Sequence, residues 1–99
     1  MKLNELKERC YDTAKKNGFW DKERNDGEAI ALMHSELSEC LEAMRKGNWD
    51  GKDGVAEELA DCIIRILDYC GGKNIDIVSA LERKTEVNKS RPYKHGKEF

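Results

Sequence analysis

Two pairs of carboxylates stand at the same spacing in this chain and are the residues best suited to chemistry. Glu36 and Glu39 form the first pair, and Glu58 and Asp61 form the second. Residues three apart on a helix project to one side of it, so each pair presents two carboxylates together. Carboxylate oxygens are the ligands that hard divalent cations prefer. The four side chains therefore predict a site for Mg²⁺, or for Mn²⁺ in its place.

The first pair carries most of this prediction, because it lies on an apolar side of its segment. Glu36 falls within the stripe that contains Ala29, Leu32 and Ala43, and Glu39 lies at its border. Burial of an unpaired carboxylate is costly, so a compensating cation is expected there. A second and larger apolar stripe runs beside it: Ile30, Met33, Leu37, Leu41 and Met44.

The second pair alone is weaker evidence for a metal site. Glu58 and Asp61 fit a narrow polar stripe that their helix could simply expose to water. What brings this pair alongside the first is the turn from Gly47 to Asp53, which is short enough to make the flanking helices antiparallel neighbours. Both pairs then stand at about the same height between the two helices, where unneutralised carboxylates would repel one another.

Four amphipathic segments position these residues and predict an all-α fold. The helices are expected at about 4–17, 27–46 after Asp26 as N-cap, 54–70 after Asp53 as N-cap, and from 77 onwards after Asp76 as N-cap. Gly71 and Gly72 are expected to end the third helix. The chain reads as one domain over 1–99.

The composition favours assembly with a second copy. Hydrophobic and charged residues each make up 38% of the 99 residues, so a single chain has little apolar material for a core. The third helix is apolar over more than half of its circumference, which is typical of a helix covered on several sides. We expect a four-helix bundle-like fold that is completed by oligomerisation, as a homodimer or homotetramer.

Charge and hydropathy exclude several classes of partner. The net charge of −2 argues against binding to a nucleic-acid polymer, because phosphate backbones require a basic face. No apolar run is long enough to cross a membrane. The N-terminal segment lacks the apolar core of a signal peptide, so a cytoplasmic protein is expected.

The four cysteines, Cys10, Cys40, Cys62 and Cys70, form no CxxC pair. Buried, reduced thiols are the main interpretation, and a zinc site through Cys70 and His95 is the alternative. Two further features have two interpretations each. Phe19 and Trp20 could close the edge of the core or stack on a nucleobase. The basic tail residues Arg91, Lys94, His95 and Lys97 could be solvated or could bind an anion.

The motifs as they stand resemble those of a known family. The run E-L-S-E from Glu36, the run E-E-L-A-D that ends at Asp61, and the run N-K-S-R-P-Y from Asn88 are similar to motifs of MazG-like nucleotide pyrophosphohydrolases. These enzymes belong to the all-α NTP pyrophosphatase superfamily. The resemblance covers most of the chain from Gly18 to the tail.

This resemblance implies a MazG-type fold and a Mg²⁺-dependent enzyme that hydrolyses a nucleoside triphosphate to a monophosphate and pyrophosphate. It implies water attack at the α-phosphorus, with Glu36 or Glu39 orienting or deprotonating the water. The four carboxylates would be the metal ligands. Substrate contacts are implied for Trp20, Lys84 and Asn88, and the anion-binding interpretation of the tail adds Arg91 and Lys94 as predicted substrate contacts.

One position departs from the resemblance. Some relatives carry Tyr one turn after the last Asp, where this chain has Arg65, which could meet a phosphate or pair with Asp61 or Asp68. The substrate therefore stays open. Alternatives are a related pyrophosphatase specific for phosphoribosyl-ATP, dUTP or dCTP, and a non-catalytic helical bundle that binds a metal for structure only.

Overall fold

The computed structural model describes residues 1–98, without the side chain of His95. Its helices are α1 (Leu3–Lys16), α2 (Asp26–Arg45), α3 (Val55–Lys73) and α4 (Ile77–Lys89), followed by a 3₁₀ turn over Tyr93–Gly96. No strand occurs in this range. The prediction of an all-α fold is confirmed for these residues. The zinc alternative through Cys70 and His95 involves a side chain outside the described part of the chain.

The centre of the fold is the antiparallel hairpin of α2 and α3. Cys40 lies beside the carbonyl of Val55 near the turn, and Cys62 lies beside the carbonyl of Met33 further along. Cys40, Ala43 and Val55 form a small buried cluster. Because these side chains are short, the backbones of α2 and α3 approach closely. Neighbouring residues of the two helices therefore lie at the same level along the hairpin.

The turn between α2 and α3 is held by the side chain of Asn48. Its carbonyl oxygen accepts from the N–H of Gly51 at 3.0 Å, and its amide donates to the carbonyl of Lys52 at 2.9 Å. Asp53 adopts a left-handed backbone conformation with φ of 58°, so it does not cap α3, which begins after Gly54. Its N–H instead donates to Glu57 Oε1 at 2.6 Å.

The start of α2 differs by one residue from the prediction. Asn25 is the N-cap and accepts from the N–H of Glu28, whereas Asp26 is the first helical residue. Both residues are good caps, and the sequence alone does not rank them. The predicted cap of α4 is confirmed, because Asp76 accepts from the N–H of Ser79.

The predicted end of α3 at Gly71 and Gly72 is wrong. The helix continues to Lys73, and Asn74 terminates it in the left-handed region with φ of 57°. The glycines serve close packing instead. A Cβ on Gly72 would lie 2.2 Å from ring atoms of Trp20, and a Cβ on Gly71 would lie 2.7 Å from Cβ of Tyr11. Helix α1 and the loop after it therefore rest directly on the α3 backbone.

Much apolar surface stays uncovered. The contact of α2 with α3 uses the stripe with Ala29, Glu36 and Ala43, and the larger apolar stripe is left facing outward. We call its exposed members, together with two exposed residues of α3, the outer apolar face: Ile30, Leu37, Leu41, Met44, Leu59 and Ile63. Helix α4 packs only lightly on the other helices and buries none of its residues.

No helix within residues 1–98 combines the length and apolar character needed to cross a membrane.

Candidate functional site

Three carboxylates meet across the α2–α3 hairpin. Glu36 of α2 and Glu58 and Asp61 of α3 each place one carboxylate oxygen within 4.8 Å of the others. We call these three side chains the acidic cluster. Glu36 and Glu58 are only 6% and 7% exposed, whereas Asp61 is exposed. The burial of Glu58 shows that the polar stripe of α3 is not simply its solvated face.

Glu39, the fourth predicted ligand, stands at the rim of the cluster. It is exposed, and its carboxylate neighbours those of Glu36 and Glu58 closely enough to affect both. The structure thus brings three of the four predicted ligands together and leaves Glu39 beside them on the solvent side.

Two oxygens of the acidic cluster have no hydrogen-bond partner among the described residues. Glu36 Oε2 and Glu58 Oε2 are both buried without a hydrogen-bond partner. A buried carboxylate oxygen in this situation loses its hydration without compensation, which is costly. The donor set consists of oxygens alone, which suits Mg²⁺ or Mn²⁺ better than softer metals. The residues present therefore fit a hard divalent cation.

The protonation behaviour of the cluster reflects its crowding. Burial, followed by the neighbouring carboxylates of Glu39 and Glu36, raises the pKa of Glu58 to about 7. Burial and the charge of Glu36 likewise raise the pKa of Asp61. Burial acts in the same direction on Glu36, but the hydrogen bond from Arg65 and neighbouring groups outweigh it, so the pKa of Glu36 is lowered. Without a cation, the cluster holds a proton near neutral pH.

Arg65 is the basic residue of the cluster. Its Nε donates to Glu36 Oε1 at 2.6 Å, across the hairpin. Of the two alternatives for Arg65, local pairing with Asp61 or Asp68 is not what its hydrogen bond shows, and contact with a phosphate stays a prediction. Arg65 lowers the pKa of Asp61 through charge, but the bond goes to α2.

A cleft of about 430 Å³ opens between α1 and α3 and reaches the acidic cluster. The cluster side carries Glu36, Asp61 and Arg65, while Phe19, Ala14 and Ile64 provide apolar walls. The remaining lining residues are Arg9, Cys10, Thr13, Asn17 and Asp68. One cleft thus combines acidic groups, two arginines and an apolar surface.

Arg9 of the cleft wall was not singled out from the sequence, whereas Phe19 was. Arg9 lies on α1 with Thr13 and Asn17 at i, i+4 and i+8, a polar stripe next to the apolar residues Cys10 and Ala14. That stripe is the signal that could have identified it, because a polar row bordering a core face often lines a groove. Phe19 is half exposed and contributes the aromatic ring of the cleft.

Trp20 lies outside the cleft lining, in a packed cluster. Its indole N–H donates to Asp68 Oδ1 at 2.6 Å, and Arg24 donates to Asp68 Oδ2 at 2.7 Å. The guanidinium of Arg24 stands 4.7 Å from the ring centre, and the ring of Tyr11 meets it edge-on. These contacts favour the interpretation that Trp20 closes the core edge, and its contact with a nucleobase stays a prediction.

The substrate contacts predicted in the C-terminal part are not brought to the cleft. Lys84 and Asn88 on α4, and Arg91 and Lys94 beyond it, are all exposed. Among the described residues that line the cleft, none belongs to α4 or to the 3₁₀ turn. Their roles in substrate binding stay predictions.

Comparisons with known proteins add no identification. No family model matches the chain, and no match was found among curated proteins or among solved structures. The resemblance to MazG-like enzymes therefore depends on the motif residues alone.

Proposed function

We propose that this protein is a Mg²⁺-dependent nucleoside triphosphate pyrophosphohydrolase that converts a ribo- or deoxyribonucleoside triphosphate and water to the monophosphate and pyrophosphate. The observation that supports this most is the pair of buried, unpartnered oxygens on Glu36 and Glu58, the first of which belongs to a residue that lines the cleft. Free thiols at all four cysteines agree with a reducing cytoplasm, where we place the reaction.

In this proposal, Glu36, Glu58 and Asp61 hold the cation, as one oxygen of each already lies within 4.8 Å of the others. Mg²⁺ bound there neutralises phosphate oxygens and acidifies water. Glu39 is the group we assign to the water, because it is exposed beside the cluster and forms no ion pair among the described residues. It accepts the proton as water attacks the α-phosphorus, and the bond to the bridging oxygen breaks to release pyrophosphate.

The cleft next to the cluster has the composition that a nucleotide requires. Arg65 and Arg9 can bind phosphate oxygens, since guanidinium groups match phosphate geometry. Phe19 and Ile64 offer apolar surface for a base or sugar. An acidic, cation-binding end combined with arginines favours a ligand that carries its phosphates together with a metal.

We also propose that the working form contains a second copy of the chain. The accessible surface is 7608 Å², whereas a compact monomer of 11.4 kDa exposes about 5,800 Å². The excess of roughly 1,800 Å² is about twice what each partner buries in a standard interface, and it matches obligate homodimers. The radius of gyration of 15.7 Å also exceeds the value of about 13 Å expected for this length.

The outer apolar face is the surface we assign to this contact. Its residues lie about a quarter turn around from the α2–α3 contact on each helix. Since the helices are antiparallel, both rows fall on the same side of the hairpin, away from the cleft. We propose that such an assembly completes a MazG-type bundle, and the substrate contacts of Lys84 and Asn88 stay predictions.

The test is a panel of nucleoside triphosphates incubated with the protein and Mg²⁺, with separation of the products. We expect monophosphate and pyrophosphate. Glu39→Gln should lower turnover at least about a hundredfold, as expected for loss of a general base. It should change Mg²⁺ affinity far less than Glu58→Gln does.

Other products would contradict the proposal or redirect it. Orthophosphate as the only product, or no turnover of any nucleotide, would exclude it. Turnover confined to phosphoribosyl-ATP, dUTP or dCTP would favour the related pyrophosphatases. Stabilisation by Mg²⁺ without turnover would favour a non-catalytic metal-binding bundle.

A further inference from the structure

The acidic cluster already has one positively charged partner, the guanidinium of Arg65. Its Nε lies 2.6 Å from Glu36 Oε1, and its side chain is 28% exposed, against 8% for that of Glu36. Among ion pairs formed by residues 1–98, this is the one that involves the cluster. Arg65 is therefore the counter-ion of Glu36 in the metal-free chain.

This counter-ion satisfies only a small part of the cluster. It occupies one oxygen of Glu36, while Glu36 Oε2 and Glu58 Oε2 stay buried without a partner. A divalent cation between the three carboxylates would meet a positive charge that is already bound to one of its ligands. Such a cation must either stay beside Arg65, at an electrostatic cost, or displace it.

The cleft offers space for a displaced Arg65 side chain. Arg65 lines this 430 Å³ cleft together with Glu36 and Asp61 of the acidic cluster. Of the other acidic residues on that wall, Asp68 is already bound by Trp20 and Arg24. A displaced guanidinium would therefore stand in the open cleft as a free positive charge.

We propose that Arg65 is an exchangeable counter-ion: it holds Glu36 while the cluster lacks a metal, and a divalent cation displaces it into the cleft. This inference rests on the proposed metal site. Arg65 acts through Glu36 and competes with the cation for that carboxylate. In its displaced position it can receive an anionic group such as a phosphate.

The opposite role for Arg65 predicts the opposite sign. If the guanidinium only orients Glu36 for the metal, its removal weakens metal binding. If it competes with the metal, its removal strengthens binding. The sign of the change in affinity therefore distinguishes the two roles.

The experiment is a calorimetric titration of the full-length, metal-free protein with Mn²⁺ alone, without nucleotide. We expect Arg65→Met, which keeps an unbranched apolar side chain but removes the guanidinium and its charge, to bind Mn²⁺ about tenfold more tightly than wild type. Arg65→Lys should stay near wild type. The matched control is Arg45→Met, which removes an exposed arginine of α2 that is paired with Glu42. It should leave the affinity unchanged.

Thermal unfolding gives a second measurement that does not depend on activity. Without metal, Arg65→Met should melt at a lower temperature than wild type, because Glu36 loses its partner. Saturating Mn²⁺ should then raise the melting temperature more in this variant than in wild type. Arg65→Gln, which can still donate to Glu36, serves the same comparison if the Met variant does not fold without metal.

The outcomes separate this inference from the proposed function. If wild type binds Mn²⁺ and both neutral variants bind it equally or more weakly, Arg65 is not an exchangeable counter-ion, and the metal site stands. If neither wild type nor the neutral variants bind Mn²⁺, the metal site and this inference fail together. Tighter binding by the neutral variants, with Arg65→Lys near wild type, supports the exchange.

Discussion

At the scale of single residues, Glu58 is the most strongly perturbed group of the site. Its pKa of about 7 follows from burial first and from Glu39 and Glu36 beside it. Such a group couples three processes, namely proton binding, metal binding and folding. A carboxylic acid that keeps its proton until neutral pH in the folded chain must release it before it can serve as a metal ligand.

Stability of the metal-free protein should therefore fall as pH rises from about 5 to 8. The reference pKa of Glu58 is 4.5, and its value in the folded chain is about 7. Between these values the folded state binds more protons than the unfolded state, so increasing pH favours unfolding. The raised pKa of Asp61 acts in the same direction, whereas the lowered pKa of Glu36 acts only below its reference value of 4.5.

Thermal melting in the presence of a chelator, over this pH range, measures the effect. Glu58→Gln should flatten the dependence, because the amide does not titrate. Metal binding should show the reverse trend and weaken about tenfold for each pH unit below 7. A melting temperature that rises steadily from pH 5 to 8 in the metal-free wild type would contradict the perturbed pKa.

At the scale of elements, α1 and the loop after it are attached to α3 through a few specific contacts. Asp68 of α3 is 5% exposed and binds both Trp20 and Arg24. Gly71 and Gly72 provide the flat surface on which Tyr11 and Trp20 lie. This attachment holds α1 against α3. Residues of α1 form one wall of the cleft, so the shape of the site depends on the attachment.

Gly72→Ala should destabilise the protein by about 1–3 kcal/mol, since the new methyl group would overlap the Trp20 ring, which is held by Asp68. The double-mutant cycle with Trp20→Ala provides the control. In that background the ring is absent, and Gly72→Ala should be neutral or stabilise α3 by up to about 1 kcal/mol, as Ala favours helix over Gly. Denaturant unfolding measures all four proteins. Equal effects in both backgrounds would show that the glycine is not required by the ring.

The same contacts explain how far the elements could be predicted from sequence. Hydrophobic periodicity was sufficient to predict the number and type of the helices. The positions of Glu36 and Asp61 on either side of the short turn were sufficient to predict that they would meet. The end of α3 was missed because a glycine pair is an ordinary stop signal, and only the tertiary contact with Trp20 and Tyr11 gives it another use.

Side-chain partners in the site were less predictable than helices. Arg65 has acidic neighbours at i−4 and i+3 on its own helix, so a local ion pair was the natural expectation. Its observed partner, Glu36, is 29 residues away in sequence. The buried state of Glu58 depends likewise on how closely α2 approaches, which the short side chains Cys40 and Ala43 decide.

At the scale of the whole molecule, one side of the hairpin carries the cleft and the opposite side carries the outer apolar face. Charged substitutions on that face test whether a second copy covers it. Leu37→Glu together with Ile63→Glu replaces side chains that are 47% and 53% exposed in the isolated chain. For a monomer, such exposed changes would alter stability by no more than about 0.5 kcal/mol.

We expect wild type to sediment as a dimer or larger assembly at micromolar concentration, and the double variant to sediment as a monomer with a lower melting temperature. Ser38→Glu adds one negative charge to the polar side of α2, next to Leu37 in sequence, and should keep the assembly state of wild type. A monomeric wild type, or a double variant with unchanged mass, would show that the outer apolar face is not the contact between copies.

The four free cysteines divide evenly between the two helix contacts. Cys40 and Cys62 lie in the α2–α3 contact, and Cys10 and Cys70 lie where α1 meets α3. All four are buried, and burial raises the pKa of the Cys10 and Cys70 thiols further from reactivity. Cys10 borders the cleft, whereas an alkylating reagent can reach the other three thiols only when a helix contact opens. The labelling rate of Cys70 therefore reports how often α1 lifts from α3, and the rates of Cys40 and Cys62 report how often the hairpin that carries the acidic cluster comes apart.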